Sequence, residues 1–239
     1  TVRATRRADH PSRLVRWADP AAVALIVLTV GAVNATALAM IVPAPVLWLV
    51  HTAWLGDARW RTVARVAART AVLSLAVSLW WIAMLMIQGR YGADVLPYSE
   101  SLADVSFTAT GPEVWRGLGY WLFYIRDQFA PTTTASLPYL VSTRALLVSF
   151  AVPVLALAAL ATVRWRHRRF SALLVASGLV LAVGVHPIDD RSPLMRVLTG
   201  SSDDGLALAL RSSTRALPVA VLGIALLIGS GVGALATPA

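Results

Sequence analysis

The long apolar runs of this chain constrain its fold more than any other feature. An α-helix rises about 1.5 Å per residue, so roughly 20 apolar residues cross a hydrocarbon core about 30 Å thick. Four segments reach or approach that length: residues 64–87, 142–163, 170–186 and 216–236. The third is short and suits a thin region or an untilted crossing. A fifth stretch, 21–55, is too long for one span and too short for two full ones. Gly31 and Asn34 interrupt it once, and Pro43 and Pro45 interrupt it again. Two short or re-entrant helices are expected there, supported by neighbours, because irregular backbone in a bilayer must be buried in protein. The expected fold class is all-α, with residues 1–239 forming part of one polytopic transmembrane helical bundle.

Charge supports this class and gives it a direction. Only 14% of residues are charged, where a soluble domain carries about a quarter. All 21 basic residues are arginine, and the absence of cysteine excludes disulfides, thiolate nucleophiles and Cys-ligated zinc. The segments 1–19, 56–69 and 164–169 hold thirteen arginines against Asp9, Asp19 and Asp57. The segments 88–144 and 187–215 hold the other eight arginines and nine carboxylates. If 21–55 enters and returns, every strongly basic segment falls on one side, and cytoplasmic flanks accumulate arginine. Loops 88–141 and 187–215 are then expected to be periplasmic, in a multi-pass protein of the plasma membrane. The pI near 11.3 reflects these flanks and calls for no nucleic-acid partner. The apolar stretch near the start is too long for a signal peptide. The chain opens at Thr1 and stops just after an apolar run, so it is expected to be an internal piece of a larger protein.

The two outer loops carry the candidate chemistry. Loop 88–141 is far longer than an ordinary connection, and loops of that length are usually functional or disordered. Within it Trp115, Leu118, Leu122, Ile125 and Phe129 recur at helical spacing, beside Tyr120, Trp121, Phe123 and Tyr124. A single amphipathic helix over 115–129, lying flat at the interface, is expected. Its aromatic residues could stack on sugar rings or line a lipid groove, or simply form an interfacial belt. In loop 187–215, Arg211 and Arg215 flank Ser212, Ser213 and Thr214 where a loop enters a helix. Arginine pairs and helix N-termini both suit phosphate oxygens; snorkelling to lipid headgroups is the plainer alternative. His186, Asp189 and Asp190 could ligate a divalent cation, or the carboxylates could orient a sugar hydroxyl or merely be solvated. Gly229 and Gly233 have the spacing of close helix packing. The Asn34-Ala35-Thr36 sequon lies in an apolar run and is set aside. No phosphate-binding glycine loop, dinucleotide fingerprint or nucleophile elbow occurs.

Three stretches resemble a known family: Tyr98-Ser99-Glu100-Ser101 with Asp104-Val105-Ser106, then Trp115 to Trp121, then Ala209 to Ala216. They are similar to the mycobacterial α-(1→3)-arabinofuranosyltransferases, membrane glycosyltransferases of the C type (GT-C). The resemblance covers nearly the whole chain, as a slice of that family's membrane domain. It implies a GT-C fold, a periplasmic active site, a decaprenylphosphoryl arabinose donor and an arabinan acceptor of arabinogalactan or lipoarabinomannan. It also implies inversion at the anomeric carbon by an Asp base in a first periplasmic loop that precedes Thr1, so the catalytic residue is expected outside this chain. Arg211, Ser212, Ser213, Thr214 and Arg215 would hold the donor phosphate. Tyr98, Glu100, Trp115, Trp121, Asp189, Asp190 and Arg191 would contact sugar, acceptor or lipid, and a divalent cation stays open as cofactor. Two other classes compete: a secondary transporter, favoured by the broken 21–55 segment but not by the uncharged spans, and a non-catalytic subunit of a cell-envelope complex.

Overall fold

The computed structural model describes residues 2–31, 35–56, 58–93, 100–199 and 211–236. They fall into two compact units, residues 1–95 and 96–239. Among the described residues no strand forms, and five helical stretches are long and apolar enough to cross a membrane.

The first unit contains α1 (Val2–Arg7), α2 (Arg13–Gly31), α3 (Ala35–Ile41), α4 (Pro43–Trp54) and α5 (Trp60–Tyr91). The stretch read as 21–55 gains length because α2 starts at Arg13, inside the polar segment, and carries Pro20 within it. Pro43 opens α4, in the first turn, where a missing N–H leaves no bond unmade. Thr36–Trp54, jointed at Val42, and α2 are each 19 residues, enough for a full crossing. α5 runs 32 residues and leaves Leu75, Leu79, Trp80 and Met84 exposed, an apolar surface suited to lipid.

Short α1 was not apparent from hydropathy, since its sequence is mostly polar. It folds back onto α5: Ala4 and Ala8 pack against Val66, with Leu49 beside them. Polar contacts fix it there. Asp9 accepts hydrogen bonds from Thr62 and Arg65, and Arg3 pairs with the buried Asp19 of α2. Arg69 donates to the Ala8 carbonyl at 3.2 Å and stands over the Trp17 ring at 5.7 Å. The arginines of segments 1–19 and 56–69 are therefore partly committed to holding these helices together.

The second unit contains α6 (Leu102–Thr108), α7 (Gly111–Trp115), α8 (Ser136–Val141), α9 (Thr143–Thr162), α10 (Arg168–Val183), α11 (Pro193–Thr199) and α12 (Leu217–Ala236). Its core joins α9, α10 and α12 through Ala156, Val175 and Leu227. α10 and α12 meet backbone to backbone. A Cβ on Gly178 would collide with the backbone of Ala220, and one on Gly223 would sit 2.7 Å from the Ser171 carbonyl oxygen. Gly229 and Gly233 do not make this contact, because an added Cβ at either meets nothing within 4 Å. Their spacing is right, but they stand about two to three turns past Gly223, where the helices cross. α10 has 16 residues and ends at Val183, three short of the 186 expected, because Gly184 adopts φ +58°.

The expected helix over 115–129 does not form. α7 stops at Trp115, Gly117 and Gly119 take φ of +78° and +100°, and a 3-10 turn follows at Trp121–Phe123. Two left-handed positions two residues apart are incompatible with a right-handed helix. Further on, Asp127 accepts from the N–H groups of Phe129 and Ala130, and Arg126 bridges Pro131. The apolar residues recur at helical spacing on a chain that turns.

Candidate functional site

Glu100 stands immediately before α6, and Ser101 caps that helix in a reciprocal capping box with Asp104. α6 itself is anchored: Leu102 packs with Val185 and Met195, and His186 Nδ1 lies 2.8 Å from the Ser106 carbonyl oxygen. The carboxylate of Glu100 is thus presented from a fixed base. It meets the segment that leads into α12. Ser212 Oγ donates to Glu100 Oε1 at 2.9 Å, and Arg211 Nε lies 3.4 Å from the same oxygen. Both charged side chains are only 13% exposed. Burial pushes the Glu100 carboxyl up, but its own backbone N–H, the Ser212 hydroxyl and the charges of Arg211 and Arg215 outweigh that and leave it below the ordinary glutamate range. It is ionised at neutral pH, in a cluster of two arginines and one carboxylate.

The hydroxyls between the arginines divide their roles. Ser212 serves Glu100, whereas Ser213 is buried and donates to the Ala182 carbonyl at 2.9 Å. Ser213 also packs where a Cβ on Gly184 would fall, so only glycine lets the end of α10 come this close. Thr214 is buried, with its hydroxyl unpartnered among the described residues. The expected helix start at Arg211 is a 3-10 turn, Ser213–Ala216, from which α12 continues at Leu217.

Trp115, at the end of α7, borders three grooves of about 310–330 Å³ each. One lies among α9, α10 and α12 and is almost wholly apolar. Another follows the same stripe of α10, through Leu179 and Val183, up to Gly184. Beside Trp115, Arg116 is almost wholly buried. Its Nε donates to Ser149 at 2.8 Å, its Nη groups reach Glu113 and the Tyr139 carbonyl, and it stands over the Phe150 ring. Tyr124 donates to the other oxygen of Glu113 and accepts from the Gly119 N–H at 3.1 Å. Burial first, and the Glu113 carboxylate second, push the Tyr124 hydroxyl far above its ordinary pKa, so it stays a donor. Spacing alone assigns Arg116 no role; the structure makes it the clamp that ties this loop to α9.

The remaining expected residues are dispersed. Trp121 belongs to the 3-10 turn that lies against α6, and its indole N–H is buried without a partner among the described residues. Asp189 and Asp190 are exposed in a second 3-10 turn against α6, and Arg191 is half-buried. Tyr98 lies outside the described residues, as do Asn34, Asp203 and Asp204. The proposed ligand set of His186, Asp189 and Asp190 does not assemble, since no group of three or more His, Asp or Glu side chains among the described residues could hold a metal ion.

Apolar helices of membrane-spanning length, with a largely buried arginine–carboxylate pair at the segment leading into α12 and apolar grooves along α9, α10 and α12, define a helical membrane domain. Residues 3–238 match the family described as alpha-(1->3)-arabinofuranosyltransferase, N-terminal GT-C domain, and the chain belongs to that family. It is also 29% identical over 222 residues to an alpha-(1->3)-arabinofuranosyltransferase of Mycolicibacterium smegmatis (strain ATCC 700084 / mc(2)155), covering 92% of this chain. The match spans 15% of that relative's length. No solved structure matches.

Proposed function

We propose that the protein carrying this domain transfers arabinofuranose from decaprenylphosphoryl arabinose to a growing arabinan of the mycobacterial cell wall, on the periplasmic side of the plasma membrane. The observation that supports this reading is the largely buried pair of Arg211 and Glu100, on the segment whose Ser213 packs against Gly184, a residue that also lines an apolar groove along α10. A lipid-linked sugar phosphate needs that combination: apolar cover for the chain, cations for the phosphate and an open side for the sugar.

In the transfer, an acceptor hydroxyl oxygen bonds to the anomeric carbon while the bond from that carbon to the phosphate oxygen breaks. The electron pair leaves with the lipid phosphate, whose charge grows from about −1 toward −2, and the acceptor proton passes to a base. No residue of this chain is assigned as that base. Arg211 and Arg215 act on the leaving group: their attraction rises as its charge rises, so they favour the transition state over the bound substrate. Trp115 borders apolar grooves that could take the lipid, while Trp121, Tyr98, Asp189, Asp190 and Arg191 are assigned to sugar, acceptor or lipid contact.

The test is arabinose transfer from a decaprenyl-phosphate donor by the full-length enzyme. Loss of one preorganised donor to a developing charge costs about 2–4 kcal/mol, so Arg211→Ala/Arg215→Ala should transfer at least about 30-fold more slowly. Arg→Lys keeps the charge but loses the planar fork and should also be impaired. Near-normal transfer by the double alanine variant would leave these arginines as headgroup anchors.

A further inference from the structure

Glu100 and Arg211 come together from opposite ends of the second unit, more than a hundred residues apart in sequence. An arginine beside a membrane surface has a long, flexible side chain, and a flexible cation loses rotamer entropy each time it engages a ligand. Here the side chain is 13% exposed, and its Nε lies 3.4 Å from an oxygen of an equally buried carboxylate, an ion pair without a hydrogen bond at Nε. That carboxylate is in turn oriented by the Ser212 hydroxyl at 2.9 Å and carried on α6, which Leu102, Val185 and Met195 fix to the end of α10.

We propose that Glu100 is a positioning residue: its carboxylate holds Arg211 in place by charge pairing, so that the guanidinium meets the substrate phosphate already placed. The proposal rests on the assignment of Arg211 to the donor phosphate. A pre-oriented guanidinium forms its hydrogen bonds with less loss of freedom than a mobile one, the general advantage of holding a binding group in place. Glu100 acts through Arg211 and touches no reacting atom. Its negative charge also limits the cluster to a net +1 from two arginines and one carboxylate, enough to balance a phosphodiester without trapping the doubly charged product.

Steady-state transfer by the full-length enzyme in membranes tests this, with a decaprenyl-phosphate arabinose donor and a synthetic arabinan acceptor. Glu100→Gln should raise the donor KM by about tenfold, the size of a 1.4 kcal/mol effect, leaving the acceptor KM unchanged. Arg211→Lys should do the same. Because both changes remove one arrangement, the double variant should be no worse than the more impaired single, whereas independent effects multiply. Multiplied effects, an unchanged donor KM in Glu100→Gln, or a lowered one, overturn the proposal; a lowered KM marks Glu100 as a competitor of the phosphate. If Glu100→Gln does not fold, Glu100→Asp, with its charge kept and its reach cut by one methylene, should give the same donor-specific rise, and no rise overturns the proposal. Normal transfer by Arg211→Ala/Arg215→Ala removes the phosphate assignment itself, while loss there with a neutral Glu100→Gln removes only the role of Glu100.

Discussion

Glu100 is a residue on which opposed effects can be ranked. Burial alone raises a carboxyl's pKa, because the charged form loses hydration. Here the carboxyl is lowered instead, by its own N–H, by Ser212 and by the facing charges of Arg211 and Arg215. The folded pKa therefore lies below the unfolded one, near 4.5. The contact stabilises fully above that unfolded value and is lost as the pH falls through the folded value. We expect the difference in thermal midpoint between wild type and Glu100→Gln, in detergent, to hold steady from about pH 8 to 6 and to shrink below about 4.5. A difference that grows on acidification would reverse the assigned sign. The two sides of this site were legible separately in the sequence, Arg211 and Arg215 by their spacing and Glu100 by resemblance. Their pairing was not, because no local pattern links residues 112 apart, the separation of Glu100 and Ser212.

Hydropathy located the helices because a span needs length and apolar content, and both are local properties. It missed the start of α2 at Arg13 and the whole of α1, where polar residues become helical through Asp19, Asp9 and their arginine partners. It also read a helix across 115–129, where Gly117 and Gly119 turn the chain and the buried Arg116 holds the turn. Periodicity cannot detect a cation buried by tertiary contacts. The same limit applies to helix contact: spacing pointed to Gly229 and Gly233, but the backbones cross at Gly178 and Gly223. A methyl group at Gly223 must displace α10, since the Ser171 carbonyl oxygen and Val175 stand within 2.9 Å of its position. Overpacking of this kind costs about 1–3 kcal/mol. Gly223→Ala should therefore lower the thermal midpoint in detergent by several degrees, while Gly229→Ala should leave it unchanged or slightly higher, as helix propensity favours alanine. Equal midpoints for the two variants would place the α10–α12 crossing elsewhere.

At the scale of the whole molecule, sidedness depends on charge and on the number of crossings. Three stretches in the first unit, α2, residues 36–54 and α5, are long enough to span. Three crossings put the residues before α2 on the same side as those between Trp54 and Trp60 and opposite to the residues that follow α5. Both of the former are arginine-rich, with Arg6, Arg7, Arg13, Arg59 and Arg61 exposed, whereas the region after α5 is close to neutral. Translocating so many guanidinium groups against the membrane potential is unfavourable, so the basic ends are expected in the cytoplasm. The Glu100–Arg211 cluster is then expected on the periplasmic side, the side that the proposed polyprenyl-phosphate donor requires. Single cysteines can check this without disturbing either unit, because the chain has none of its own. Thr132 is exposed in the loop after α7, and Ser12 is exposed in the turn before α2. In intact spheroplasts, Thr132→Cys should react with a membrane-impermeant maleimide, and Ser12→Cys should react only after permeabilisation. The reverse pattern would invert the orientation, put the residues after α5 in the cytoplasm and count against the proposed periplasmic transfer.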